Sequence, residues 1–223
     1  MNVNWILTFP LTSFEPVCYL VRSPQVIAVN SASPYRTISD FIAAARAKPG
    51  ELSLATVGPA TTQHIGFEQF KRLADVNLTY VPYTGGAPAI NALLGGHITA
   101  VLTNYSEEVE QLNAGTLRAL ATTSLKRIEP LPNVPTVAET IGVSDYEAEV
   151  WFGVAAPART PKDTVAQLAG WFTTAMQAPE VIPKLLTLGL YPVGICGDDF
   201  TAHIRRQSEI YNRIIREANI KAE

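Results

Sequence analysis

The stretch LSLATVGPATTQH at residues 52–64 decides the fold of this chain. It begins as a short apolar strand, passes through a Gly-Pro turn and ends where a helix begins. A second stretch of similar design, LTYVPYTGGAPA at residues 78–89, follows after a helix-length interval. A repeated strand, loop and helix predicts an α/β fold, with a parallel or mixed sheet and helices on both faces.

The same alternation extends over residues 33–123 and predicts one compact lobe. Predicted strands lie at 17–21, 26–30, 52–56, 78–81, 98–103 and 117–123, and predicted helices at 37–48, 61–75, 86–94 and 105–114. Thr37 is expected to cap the first of these helices, with Asp40 in its first turn.

A proline-rich segment at residues 125–135 separates this lobe from the rest of the chain. Beyond it we predict a strand at 147–156 and helices at 161–177, 179–188 and 198–218. So many helices cannot cover a sheet of one or two strands, which indicates that a piece of this second lobe is missing.

Composition excludes several classes of protein. The chain has 223 residues, 47% of them hydrophobic, and a formal net charge of −3 with scattered Lys and Arg, so we expect no nucleic-acid partner. No stretch approaches the roughly 18 apolar residues of a membrane span, and we expect no membrane insertion. Residues 1–11 contain no Lys or Arg and no cleavage pattern, so we expect no signal peptide.

The two cysteines, Cys18 and Cys196, have no metal-binding spacing. We expect them to be unpaired and buried, because a chain of this length does not need a covalent staple. A disulfide formed in an oxidising compartment is the alternative.

The first strand-to-helix loop is the leading candidate for a ligand site. Free backbone N–H groups and the helix dipole favour an anion there, and a carboxylate is the natural ligand. The alternative is a plain helix cap formed by one of the threonines. Nucleotide binding is not expected, because the loop lacks a Walker lysine and the G-x-G-x-x-G spacing. The candidate ligand residues in this loop are Thr56, Gly58, Thr61, Thr62 and His64.

Two further loops converge on the same predicted sheet edge. Tyr83 offers a hydroxyl and a flat face, and Gly85 and Gly86 allow close backbone approach or simply form a tight turn. Asn104 follows the next strand. Trp151, on a strand that enters the other lobe, lines a cleft in one interpretation and belongs to the core in the other.

Catalytic and metal-binding patterns are missing from the sequence. There is no Gly-x-Ser-x-Gly elbow, no H-E-x-x-H motif and no paired cysteine motif, so we expect no catalytic residue, no metal and no cofactor. The acidic run Glu107, Glu108 and Glu110 is interpreted as a solvated helix face. The histidines fall in unrelated contexts at His64, His97 and His203.

A series of segments occurs in a characteristic order over residues 11–221. They are FEPV at 14–17, PGELS at 49–53, GPATTQH at 58–64, VPYTGGAPA at 81–89, LGGHI at 94–98, AGTLRAL at 114–120, LPNVPTVAE at 131–139 and WFG at 151–153. Together they resemble the substrate-binding proteins of tripartite tricarboxylate transporters, the Bug or TctC-like family. Each motif is weak by itself, and it is their order that makes the resemblance specific.

The resemblance implies a type II periplasmic binding-protein fold, with two α/β lobes around a cleft. It implies a non-enzymatic periplasmic receptor that captures a small carboxylate and passes it to membrane permease subunits. Carried onto this chain, it assigns ligand contacts to 56–64, 83–86 and Asn104, with Trp151 near the crossover between lobes.

Two departures from the family pattern are evident. Ala60 stands where the family has a second glycine, so we expect the first loop to be reshaped. The family's amino-terminal part has no counterpart, so we expect a truncated copy with an incomplete first lobe and exposed apolar edges. The expected regions are 1–30 with 146–223 as the remnant of the first lobe, 31–124 as the second lobe and 125–145 as a crossover linker.

Two other functions are compatible with a two-lobed α/β fold. The effector-binding domain of a transcription regulator would require a helix-turn-helix upstream, which is not visible here. A small-molecule enzyme would require a nucleophile and base pair, for which Ser53 or Ser106 with a distant histidine is poor support.

Overall fold

The computed structural model describes residues 10–144 and 146–220. The chain divides into two compact units. The terminal unit contains the described residues up to Ser23 and those from Trp151 onward, and the central unit is Pro24–Val150. The sequence predicts these boundaries at residues 30 and 146 and a linker over 125–145, whereas the structure includes that segment in the central unit. The signal-peptide expectation falls mainly on residues 1–9, outside the described part.

One long strand, β1 (Phe14–Asn30), belongs to both units. The sequence predicts two strands here, because Pro24 lacks the N–H group that a ladder requires. The structure explains why the strand continues. The pairing of β1 with one partner ends at Arg22 and its pairing with another begins at Gln25, so Pro24 lies between two ladders.

The sheet of the central unit is mixed, as predicted. Its strands are β1, β2 (Ser53–Val57), β3 (Thr79–Tyr83), β4 (Ala100–Asn104) and β5 (Leu117–Thr122). Their order is β3-β2-β4-β1-β5. β2 runs parallel to β3 and β4, while β1 runs antiparallel to β4 and β5.

The helices of the central unit follow the predicted pattern, with one addition. They are α1 (Ile38–Ala47), α2 (Thr62–Leu73), α3 (Gly86–Leu94), α4 (Tyr105–Asn113) and α5 (Val137–Ile141). Thr37 and Asp40 form the expected capping box of α1. Helix α5 is not predicted, because it lies in the expected linker, 125–145, directly after the proline-rich segment, yet Thr136 and Glu139 form a capping box that signals it.

The core of the central unit lies between its sheet and its helices. It buries large side chains completely, among them Phe41, Phe67 and Phe70. Tyr146 is also fully buried, and its hydroxyl donates to the carbonyl of Gly66 on α2 at 3.1 Å. This packing fixes α2 against the sheet and therefore fixes the loop that precedes α2.

The terminal unit contains the amino-terminal half of β1 together with β6 (Glu149–Pro157), which begins in the central unit, and β7 (Tyr191–Cys196). Both β6 and β7 pair with β1. Its helices are α6 (Lys162–Gln177), α7 (Val181–Thr187) and α8 (Asp198–Glu217), and a short 3-10 helix, Leu11–Ser13, precedes β1. The sequence does not predict β7, because Pro192 and Gly194 weaken its strand pattern.

The expectation of two unpaired cysteines is wrong. Cys18 and Cys196 are joined by a disulfide, and they lie directly opposite each other on β1 and β7. Because β7 is not recognised in the sequence, nothing there places the two cysteines together. The disulfide lies beside the small core of the terminal unit, which contains Val17 and Ala156 and packs against side chains of α6.

Exposed apolar surface, expected from the sequence, is present in the terminal unit. Trp171 on α6 is 62% exposed, Leu188 is 58% exposed and Phe152 on β6 is 47% exposed. Helices α6 and α7 have no fully buried residue.

Candidate functional site

Three strand-to-helix loops of the central unit meet at one edge of its sheet. β3, β2 and β4 are neighbouring parallel strands, and they are followed by α3, α2 and α4 respectively. The carboxyl ends of parallel strands lie at one edge, so the amino termini of these three helices lie there together. Ligands of open α/β sheets bind at such edges.

Hydrogen bonds tie the three loops to one another. The N–H of Gly58 donates to the carbonyl of Tyr83 at 2.7 Å, which joins the loops after β2 and β3. Gln63 Nε2 donates to Asn104 Oδ1 at 3.2 Å, which joins the loops after β2 and β4. Gln63 was not predicted as a site residue, although it stands between the predicted Thr62 and His64.

The loops after β3 and β4 also touch, through Gly86 and Glu107. A Cβ atom at Gly86 would lie 2.5 Å from the carboxyl carbon of Glu107. Glu107 Oε2 accepts from the N–H of Asn104 at 3.0 Å. Gly86 therefore leaves room for this carboxyl group, a contact that is not predictable from the sequence. Gly85 has φ 178°, an extended conformation open to any residue.

The threonines of the first loop are largely engaged within the protein. Thr61 caps α2, because its Oγ1 accepts from the N–H of His64 at 3.3 Å and donates to the carbonyl of Gly58 at 3.1 Å. Thr62 Oγ1 donates to Gln63 Oε1 at 3.2 Å. Thr56 is fully buried and its hydroxyl donates to Tyr80 at 3.5 Å. The alternative of a simple helix cap thus describes Thr61 correctly.

Ala60 adopts a left-handed backbone conformation with φ 56°. A side chain makes this conformation costly, which is why glycine usually occupies it. Ala60 is only 6% exposed, and its N–H donates to His64 Nδ1 at 3.2 Å. The strained turn is therefore held from the first turn of α2.

His64 is enclosed by side chains of α2 and β3. Its ring stacks on Tyr80, with centroids 4.1 Å apart and planes inclined by 13°. Nε2 lies 3.9 Å from Glu68 Oε1. Burial lowers the pKa of His64, and Lys71 lowers it further, while the carboxylate of Glu68 acts in the opposite direction. The neutral imidazole is therefore favoured at pH 7.

The interpretation of the acidic run as a solvated face is wrong for Glu108. This side chain is fully buried, and its Oε1 accepts from Thr103 Oγ1 at 2.6 Å, while Oε2 has no hydrogen-bond partner among the described residues. Burial raises the pKa of Glu108 well above its usual value. The periodicity of α4 signals this, because Glu108 lies three residues after the buried Tyr105.

Trp151 belongs to the terminal unit, whereas the other predicted ligand residues belong to the central unit. Its ring contacts Tyr19, Phe200 and His203, with centroids 6.1, 5.9 and 5.4 Å away. Gly153 makes room for Phe200 in the same aromatic cluster, since a Cβ there would lie 2.4 Å from the ring.

Across residues 10–144 and 146–220, no group of three or more His, Cys, Asp or Glu residues is arranged to hold a metal ion. Within the same part of the chain, no helix has both the length and the apolar character needed to cross a bilayer.

Comparison with known proteins identifies the family. Residues 2–220 match the tripartite tricarboxylate transporter family receptor. A protein of Pseudomonas sp. strain P51, described as the UPF0065 protein in the tcbD-tcbE intergenic region, is 33% identical over 209 residues. That alignment covers 94% of this chain and 62% of the relative. The chain belongs to this receptor family, and the alternative of a transcription-regulator domain is not favoured.

Solved structures confirm the α/β periplasmic binding-protein fold. R. palustris Rpa4515, solved with adipate, has a TM-score of 0.87 at 32% identity over 95% of this chain and 71% of that one. The periplasmic binding protein BugD has a TM-score of 0.85 at 28% identity over 96% of this chain and 72% of that one. The chain spans less than two thirds of the length of the curated relative from Pseudomonas, of which 62% is aligned.

Proposed function

We propose that this chain is a solute-binding receptor that captures a small dicarboxylate at the loop edge of its central unit and passes it to permease subunits of a tripartite transporter. The observation that supports this proposal is that the amino termini of three helices meet at one sheet edge. The loops that precede these helices contact one another directly. The positive ends of the three helix dipoles favour an anion there.

The charges of the three helices indicate where a carboxylate would bind. The first turns of α2 and α3 contain no acidic residue, whereas the first turn of α4 contains Glu107 and Glu108. The carboxylate of Glu107 already accepts from the backbone at the start of α4. A ligand carboxylate is therefore best placed at the start of α2, beside the bond that joins Gly58 to Tyr83 and away from Glu107, whose carboxyl group lies against Gly86 at the start of α3.

A receptor role also fits the chemistry of these loops. The hydroxyls of Thr56, Thr61 and Thr62 are engaged in hydrogen bonds within the protein rather than paired with a base. We therefore propose binding without turnover. The disulfide between Cys18 and Cys196 supports a periplasmic location, because such bonds persist in oxidising compartments.

The ligand class is tested by thermal unfolding with matched acids and amides. Adipate is the first probe, because a relative was solved with it. Succinate tests chain length, and adipamide keeps the shape of adipate without its charge. Adipate at 100 times its Kd should stabilise the folded chain by about 2.7 kcal/mol, while adipamide should have no effect. Equal shifts with adipate and adipamide, or a cooperative transition that neither acid moves, would contradict the proposal.

A further inference from the structure

The turn at Gly58–Ala60 is held by bonds to neighbouring residues, and the side chain of His64 supplies one of the acceptors. The N–H of Ala60 donates to His64 Nδ1 at 3.2 Å, and the same turn donates the N–H of Gly58 to Tyr83. The left-handed conformation of Ala60, with φ 56°, is sterically strained. A strained turn persists only where its surroundings hold it, so the bond to His64 is part of what keeps the loop in place.

Only a neutral imidazole can make this bond. A neutral ring has one acceptor nitrogen and one N–H group, and both nitrogens become donors when the ring is protonated. Because Nδ1 accepts from Ala60, the proton of the neutral ring lies on Nε2, which faces Glu68. Protonation would place an N–H group on Nδ1, directly opposite the N–H of Ala60.

The ring cannot easily turn away from that conflict. It stacks on Tyr80 of β3 at 4.1 Å, and its exposed fraction is only 8%. The groups that face it are Glu68 and Lys71 on its own helix and the phenol of Tyr80, whose pKa is raised by burial so that it stays neutral. The repulsion between the two N–H groups of protonated His64 and Ala60 must therefore be relieved by movement of the turn rather than of the ring.

We propose that His64 is a positioning residue of the binding site, which holds the Gly58–Ala60 turn in its neutral form and releases it on protonation, so that ligand affinity falls in acid. The link to affinity rests on the proposed function, since the turn lies beside the expected carboxylate position. His64 acts through Ala60 and does not itself contact the ligand, in contrast to the direct contact that the sequence suggests.

The direction of the effect follows from the environment of the ring. Burial holds the pKa of His64 below its ordinary value of 6.5, so the turn is intact at neutral pH. Affinity should be constant above pH 6.5. In acid, protonation of His64 should lower affinity by at most about tenfold for each further pH unit, as expected for one linked proton, in addition to any loss caused by protonation of the ligand's own carboxylates.

Substitutions separate this role from simple packing. His64→Asn places a carbonyl oxygen near the position of Nδ1 and cannot titrate, so adipate affinity should be retained at pH 7.5 and should keep only the pH dependence that protonation of adipate itself causes. His64→Gln places its amide farther out and should weaken binding throughout. His97→Asn removes an exposed histidine and should leave the wild-type pH profile unchanged. Identical pH profiles in the parent chain and in His64→Asn would overturn the proposal.

Nuclear magnetic resonance on the ligand-free chain tests the coupling without any ligand. The nitrogen shifts of His64 should show a proton on Nε2, and the amide resonance of Ala60 should titrate with the same midpoint as the ring. A proton on Nδ1, or an Ala60 amide that does not follow the ring, would overturn the proposal. If neither adipate nor succinate binds but Ala60 follows His64, the choice of ligand fails while the positioning role of His64 stands.

Discussion

At the scale of single residues, two side chains contradict ordinary preferences. Ala60 takes a conformation that glycine favours, and Glu108 buries a carboxyl group beside one hydroxyl partner. Both lie in or next to the loops of the candidate site. Local penalties of this kind are usual near binding sites, where the rest of the fold compensates for them.

Ala60→Gly should stabilise the folded chain by about 0.5–1 kcal/mol. The substitution removes the strain of a left-handed alanine, and this gain exceeds the extra entropy that glycine brings to the unfolded chain. Urea unfolding measures the difference. The same replacement at Ala44, inside α1, should instead destabilise by about 1 kcal/mol. Lower stability in Ala60→Gly would show that the turn is not strained.

Glu108→Gln should become increasingly stabilising, relative to the parent chain, as pH rises above 4.5. The raised pKa means that the folded state holds the proton of Glu108 more tightly than the unfolded state does. The contribution of Glu108 to stability is therefore most favourable below pH 4.5, the ordinary pKa of a glutamate, and is lost as pH rises towards the raised folded-state pKa. Gln keeps the acceptor for Thr103 and removes this dependence.

Unfolding by urea at pH 4.5 and pH 8 provides the measurement for Glu108→Gln. The exposed Glu110→Gln is the matched control, because it changes the same charge on the same helix. A stability difference that is the same at both pH values would show that Glu108 ionises in the folded chain as it does in the unfolded chain.

At the scale of elements, the regular strand and helix alternation was predictable and its exceptions have physical causes. The helix Gly86–Leu94 has its predicted bounds, because glycines mark both ends. Strand β7 and helix α5 were not predicted, because proline and glycine in or beside a short element weaken its sequence pattern. The candidate loops were predictable from their place after strands, but their mutual contacts were not. Gln63 and Glu107 became visible only when the sheet order brought three loops together.

Gly86→Ala and Glu107→Ala should each cost about 1 kcal/mol, and the double variant should cost little more than either alone. The new Cβ displaces the carboxyl group of Glu107, which then loses its bond to Asn104, and removing Glu107 loses the same bond. Chemical unfolding of the parent chain and of the three variants gives the free energies for this double-mutant cycle. Gly85→Ala is the control and should be tolerated, since its nearest neighbour would be 3.7 Å away. Additive costs would contradict this account.

At the scale of the whole molecule, the disulfide joins residues separated by 178 positions. A cross-link over so long a loop greatly restricts the unfolded chain. Replacing Cys18 and Cys196 by serine should therefore lower stability by about 3–5 kcal/mol. The measurement is thermal unfolding of the parent chain and of the double-serine variant, each with and without a reductant. The reductant should lower the Tm of the parent chain only, and an unchanged Tm in both would show that the bond contributes nothing.

The sharing of β1 between the two units sets an order for synthesis on the ribosome. The central unit is one contiguous segment, Pro24–Val150, so all of it is synthesised before helices α6, α7 and α8. Strand β1 also pairs with β6, but its ladder with β7 and the disulfide require the chain as far as Cys196. Until that residue has been made, a nascent chain carries the first half of β1 with a reduced cysteine. The terminal unit can therefore complete its sheet only after the whole central unit has been synthesised.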